Sequence, residues 1–265
     1  MSHQRWAIAQ EKEASSWRGN SDKIQSDDYL AIKTKYWESL LVVIEEQIGE
    51  LKGDWLDFGC GPSGLVLSKS AQGRIVCVDP LMDLYLKEFP FLRKFNAKYI
   101  TSKAEGLKLD KKFDFIFGFN AIDHVENIGS SLTSLTRYLK QNGFMILSVN
   151  THRYKVMQIF MSRFSFVFDR LHPHQYTKEQ YISVLEANGL KVKHSLNVDA
   201  QVGSLNRKTN SYTKNTLKTY LKPGNLFFAI LKLLFGISRY SHEGPKSAYS
   251  HELFICTKSQ PMHSF

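Results

Sequence analysis

Between positions 54 and 150 the chain alternates five short apolar runs with longer amphipathic segments, and this alternation constrains the fold more than any other feature. The runs are "DWLDF", "RIVCVD", "AKYIT", "FDFIFGFN" and "FMILSVN". Between them, "SGLVLSKSA" (opening at Ser63), "LMDLYLKEF" and "IGSSLTSLTRYLKQ" read as helices, the last stopped by "NG". Strand–helix alternation of this kind gives an α/β architecture with a largely parallel sheet. The strands are apolar along nearly their whole length, as they must be when helices cover both faces.

The flanks add further elements. Apolar residues at helical spacing (Leu30, Tyr36, Trp37, Leu40, Leu41, Ile44, Ile48) predict a helix over 29–50, behind a polar, weakly patterned start in which Trp6 and Trp17 stand out. After the fifth strand, "YKVMQIFMSRFSFVF" reads as an aromatic-rich helix. The next helix has Thr177 as N-cap and Gly189 as its stop. "LKVKHSLNV" and "HELFICTK" read as strands six and seven, with about 50 residues of weak strand pattern between them. The expected division is an N-terminal helical cap (1–50), a core (51–199 and 249–259) and a basic, apolar insertion (200–248).

The turn after the first strand reads "DFGCGPSG". Glycines at 59, 61 and 64 let backbone turn tightly and approach a ligand closely. In a doubly wound sheet this turn lies at the carboxyl edge, where ligands bind. Asp79, ending the second strand, is placed to accept hydrogen bonds from two ribose hydroxyls. Asp57 discriminates between ligands: it would repel a diphosphate and attract an ammonium or sulfonium. Unit charges 4 Å apart at an effective dielectric near 20 interact by roughly 4 kcal/mol before desolvation.

At these residues the chain resembles the class I S-adenosylmethionine-dependent methyltransferases of the small-molecule, methyltransferase-11-like type. The resemblance runs from about 55 to 192, and the last strand extends it. It rests on "LDFGCGPSG", "VDP", "KAEGL", "FDFIFGFNAIDHV", "LKQNGFMILSVN" and "HPHQYTKEQYISVLEANGLKV". It implies a Rossmann-like, seven-stranded, mostly parallel sheet with an antiparallel last strand and a helical insertion between strands six and seven. It implies S-adenosylmethionine as methyl donor and S-adenosylhomocysteine as product. Asp57, Gly59, Cys60 and Gly61 would hold the methionine part and Asp79 the ribose. Pro80, Leu81, Ala104 and Glu105 would flank the adenine, and Asn120 would face the methionyl end or the sulfonium.

Methyl transfer is an in-line displacement in which alignment supplies much of the rate. A hydroxyl or protonated amine acceptor also needs a base, and histidine suits that role. His124, His152, His172 and His174 lie in the loops after strands four and five. No metal is implied: His172 and His174 have no third ligand at a recognisable spacing.

Net charge is +10, and 201–242 holds seven Lys/Arg and no acid. A nucleic-acid methyltransferase is therefore one rival, but the loop after strand four reads "NAIDH" rather than the Asn/Asp-Pro-Pro-aromatic loop of amino-directed enzymes. A nicotinamide-dependent oxidoreductase is another, opposed by Asp57. A non-catalytic binding module of the same fold is the third. The acceptor is expected to be a small or lipid-like molecule, methylated at oxygen or nitrogen. "NLFFAILKLLFG" is too short to span a bilayer and reads as a lid, a homodimer contact or a peripheral membrane contact. Three scattered cysteines and no signal-peptide pattern point to the cytoplasm, including the inner membrane face.

Overall fold

The computed structural model describes residues 3–168, 174–210, 223–240 and 246–259. Its strands are β1 (Trp55–Phe58), β2 (Ile75–Asp79), β3 (Lys98–Thr101), β4 (Phe113–Phe119), β5 (Leu139–His152), β6 (Leu190–Asn197), β7 (Ile237–Tyr240) and β8 (Lys246–Lys258). They form one sheet in the order β3-β2-β1-β4-β5-β8-β6, with β7 attached to β8. β1 through β5 pair in parallel, and β8 runs antiparallel to both β5 and β6. The expected seven-stranded sheet with an antiparallel last strand is present. β7 is an addition: the insertion supplies a short strand that pairs in parallel with the start of β8.

Side-chain alternation along each strand builds two cores. Trp55, Phe115, Phe117 and Phe119 face one side, where Trp37, Leu40, Leu41 and Ile44 of α3 (Asp27–Ile48) cover them. Leu56, Phe58 and Ile116 face the other, under α5 (Ile128–Tyr138) and α7 (Lys178–Ala187). Thr177 caps α7 as expected, in a full capping box with Gln180, and Gly189 follows the helix at φ 79°. The remaining helices among the described residues are α1 (His3–Gly19), α2 (Ser21–Ile24), α4 (Met82–Glu88), α6 (Lys155–Phe168), α8 (Asp199–Asn210) and α9 (Pro223–Phe235).

Two local expectations are corrected, at 63–71 and at the start of β5, and the start of the chain adds detail to the expected helical cap. Residues 63–71 form two 3-10 turns, Leu65–Leu67 and Lys69–Ala71, instead of a helix. Ser68 between them is extended (φ −73°, ψ 139°) and its hydroxyl accepts the Ser70 N–H, which offers the backbone an alternative to helix. The weakly patterned start is helical in α1, which buries only Ala9, Gln10 and Ala14 and so carries little apolar periodicity. β5 begins at Leu139, inside the segment read as helix, because Leu139 is already paired with Phe113.

The strand order reverses between β1 and β4, which both neighbour the first glycine loop. That reversal opens a cleft at the carboxyl edge of the sheet.

Candidate active site

The loop after β1 is built around its acids. Asp57 is 2% exposed, and its Oδ2 accepts the Leu65 N–H at 3.0 Å, tying the strand end to the first 3-10 turn. Gly59 (φ 62°) lies so close to Ala121 that an added Cβ would sit 2.5 Å from the alanine Cβ. Asp79 is 4% exposed. Its two oxygens accept the N–H groups of Gly61 (3.1 Å) and Leu81 (2.8 Å), which fixes the carboxylate at the mouth of the loop.

Burial pushes both carboxyls up to about 7. Each is pushed further by a neighbouring acid, Asp79 acting on Asp57 and Glu13 on Asp79, while the backbone donors oppose the rise. Lys33, on α3, is lowered to about 8 by burial, against the favourable field of Asp57. Its Nζ stands 4.6 Å from the Trp37 ring, where the aromatic face compensates part of its lost hydration. A buried acid and a buried amine therefore face one cavity. Such a pair can receive the ammonium and carboxylate of an amino-acid zwitterion.

The cleft has two connected parts that share Glu13, Gly59, Asn120 and His124. A narrow slot of about 50 Å³ is lined by Asp79, Pro80, Ala104, Glu105 and Val125, and is roofed by Trp6 and Gln10 of α1. A wider cavity of about 440 Å³ holds Asp57, Cys60, Gly61, Lys33 and the aromatic side chains of Trp17, Tyr36, Trp37 and Phe119. Ser148, Asn150 and His251 line it from β5 and β8. Trp37 anchors α3 to the loop, its Nε1 donating to the Ser63 carbonyl at 2.9 Å, and its ring packs 5.1 Å from that of Phe119.

The expected site residues separate on this geometry. Asp57, Gly59, Cys60, Gly61, Asp79, Pro80, Ala104, Glu105, Asn120 and His124 all line the cleft. Asn120 takes a left-handed backbone (φ 56°), and its N–H donates to the Ser148 carbonyl at 2.8 Å, fixing the end of β4 against β5. Glu105 is less free than its place beside the slot implies, since Oε1 accepts the Asn127 N–H at 2.9 Å and steadies the start of α5. Leu81 does not line the slot: its side chain packs against the core beneath α4, and only its N–H serves the site.

His174 does not line the cleft either. Its Nε2 donates to the Val125 carbonyl at 2.9 Å, and burial lowers its pKa. His152 is buried against Tyr249 and bonded to Gln175. His172 lies outside the described residues. Of the three described candidate histidines, His124 is the one at the cleft, 3.9 Å from the buried Asp123.

Glu13, Lys33, Ser148, Asn150 and His251 were not anticipated. Lys33 had a signal: it precedes Tyr36 and Trp37 by one helical turn, so a cation sits beside the apolar stripe of α3. His251 had a weaker one, a histidine on the same strand face as Leu253 and Ile255.

Known proteins resemble this chain over the same region. A family model described as a methyltransferase domain matches residues 30–195. The ubiquinone biosynthesis O-methyltransferase of Rickettsia felis is 28% identical over 188 residues, 62% of this chain and 77% of the relative. The protein of the same name from Rickettsia akari is 27% identical over 128 residues, 46% of this chain and about half (51%) of the relative. Among solved structures, geranyl diphosphate C-methyltransferase from Streptomyces coelicolor A3(2), in complex with S-adenosyl-L-homocysteine, aligns with TM-score 0.56 at 12% identity. That alignment covers 83% of this chain and 79% of the other.

Proposed function

The chain belongs to the methyltransferase-domain family, and from that premise we propose that it methylates a hydroxyl oxygen on a small, planar, lipid-like aromatic acceptor. That it is an S-adenosylmethionine-dependent methyltransferase follows from the family. The aromatic acceptor is supported by the cavity: Trp17, Tyr36, Trp37 and Phe119 give flat apolar walls beside Asp57 and the glycine turn. The Rickettsia relatives are named as O-methyltransferases of ubiquinone biosynthesis, which agrees with this chemistry.

The residues present fit the donor. Gly59 lets the turn close tightly on Ala121 at the cleft, and two buried carboxyls lie where a cationic ligand relieves their desolvation. Asp57 and Lys33 would hold the methionyl ammonium and carboxylate, Asp79 the ribose hydroxyls, and the slot between Pro80 and Ala104 the adenine. When bound, S-adenosylmethionine supplies the methyl group. Transfer of that methyl to the acceptor oxygen would leave the thioether as product and one acceptor proton for the protein to take. The protein's own contribution is alignment, exclusion of water by α1 and α3, and removal of that proton.

The carrying observation is the shared cavity of Asp57, Lys33 and the aromatic walls. Calorimetry with S-adenosylhomocysteine, followed by transfer of labelled methyl to catechol, tests it. Donor binding with transfer only to amines would overturn the choice of oxygen.

A second proposal concerns the surface. α6 and α9 pack together and leave Val156 (81%), Ile159 (54%), Leu233 (84%) and Phe235 (61%) exposed. Basic Lys155, Arg163 and Lys232 lie on the same helices, and among the described residues no helix is long and apolar enough to cross a membrane. This face is suited to shallow contact with an anionic lipid surface, from which a lipid-like acceptor could be drawn. Both the homodimer reading and this one make the same face a contact, and liposome sedimentation separates them.

A further inference from the structure

β8 crosses β5 antiparallel with His251 directly opposite Asn150. Ser148 lies two residues from Asn150, on the same strand face and diagonal to His251. The His251 Nδ1 is 2.9 Å from Asn150 Oδ1, and its Nε2 is 3.2 Å from Ser148 Oγ. An amide oxygen carries no proton, so Nδ1–H donates to Asn150 and Nε2 is left with its lone pair, accepting the Ser148 hydroxyl. All three side chains line the wide cavity that also holds Asp57 and the glycine turn. His251 lies outside the stretch matched by the family model.

We propose that Ser148 and His251 form the relay that receives the acceptor's proton, with Asn150 fixing the tautomer. Ser148 Oγ accepts the acceptor O–H. As the oxygen gains its methyl group, that proton moves to Ser148 while the Ser148 proton moves to His251 Nε2. The acceptor leaves as a neutral ether and the imidazole becomes an imidazolium. The proposal rests on the methyltransferase reading above.

Burial and the nearby acids act on the His251 ring in opposite directions. Burial lowers the His251 pKa to about 4, so the ring is neutral at rest. Asp123 from the loop after β4, Asp199 from α8 and Glu252 from β8 favour its charged form. Asp199 also accepts the His251 backbone N–H at 2.8 Å. Arg153 and Lys178 pair with Asp199 and Glu252, at 2.7 and 2.9 Å, and temper that field.

The test compares wild type with H251Q and S148A on two probes, catechol and the more acidic 4-nitrocatechol. General-base removal costs about 100-fold or more. The expected result for H251Q is a fall of about that size in catechol kcat at neutral pH, only a few-fold loss on 4-nitrocatechol, and unchanged S-adenosylhomocysteine affinity. Catechol turnover by H251Q should also rise tenfold per pH unit below the acceptor's own pKa, where wild type is flat. Free imidazole should restore part of it. Nitrogen NMR of the free protein should show His251 neutral and protonated at Nδ1.

Equal losses on both phenols with donor affinity intact would mean a structural role and overturn the proposal. So would an Nε2-protonated ring, or donor binding with no transfer by wild type to either phenol. Failure of wild type to bind S-adenosylhomocysteine would instead sink the methyltransferase reading, and the relay with it.

Discussion

At the scale of single residues, Asp57 and Asp79 link the site to pH. Their folded pKa values, about 7, stand well above the ordinary carboxylate range near 4. A raised carboxyl stabilises the fold only while protonated, so its contribution is complete below about pH 4 and is lost as pH rises through 7. The ligand's ammonium, which S-adenosylhomocysteine shares with the methyl donor, reverses that cost at Asp57 because it pairs with the ionised carboxylate. The stabilisation conferred by S-adenosylhomocysteine should therefore grow between pH 6 and pH 8, read as the ligand-induced rise in Tm. A shift that is flat or shrinks with pH would mean that neither acid meets the ligand. Gly59→Ala should lower Tm and weaken donor binding, since its Cβ meets Ala121 and its positive φ costs a further 1–2 kcal/mol or so. The acids and glycines of this site were legible in the sequence because their chemistry is local to one strand–turn corner. Glu13, Lys33 and His251 reach the same cavity from α1, α3 and β8, and no spacing within the chain records that convergence.

At the scale of elements, α3 and α1 do different work. α3 is part of the core, and its apolar stripe was readable. α1 buries little of itself, yet it places Trp6, Gln10, Glu13, Ser16 and Trp17 over the cleft. Trp6 is held by the Lys103 ammonium 3.8 Å from its ring, and Lys103 in turn pairs with Glu126 at 2.8 Å. Trp6→Ala together with Trp17→Ala should thus weaken S-adenosylhomocysteine binding at least tenfold while circular dichroism and Tm change little. A large drop in Tm would assign α1 to the core instead. Thr177→Ala, by contrast, should leave binding alone and cost about 1 kcal/mol of stability, measured by urea unfolding, through loss of the α7 cap. The absence of a helix at 63–71 belongs to this scale too. Leu65, Val66 and Leu67 are all buried, so the segment has no polar face to present to water, and Ser68 turns the backbone out of the helical path.

At the scale of the whole molecule, the proposed function divides between two ends of one sheet. The parallel half, β3-β2-β1-β4, carries the residues proposed for the donor, and the antiparallel pairing of β5 with β8 carries the polar side chains proposed for the acceptor end. α9, packed on α6, adds an exposed apolar face. If that face meets lipid, Val156→Asp with Leu233→Asp should lower sedimentation with anionic liposomes several-fold while turnover of a soluble phenol is kept. Unchanged sedimentation would remove the membrane reading. The central claim is the donor site itself. It is tested most directly by titrating S-adenosylhomocysteine and NAD in parallel into wild type and Asp79→Ala by calorimetry. The expected result is saturable, one-to-one S-adenosylhomocysteine binding in wild type, at least a tenfold loss in Asp79→Ala with Tm retained, and no NAD binding. Saturable NAD binding, or S-adenosylhomocysteine affinity indifferent to Asp79, would contradict it.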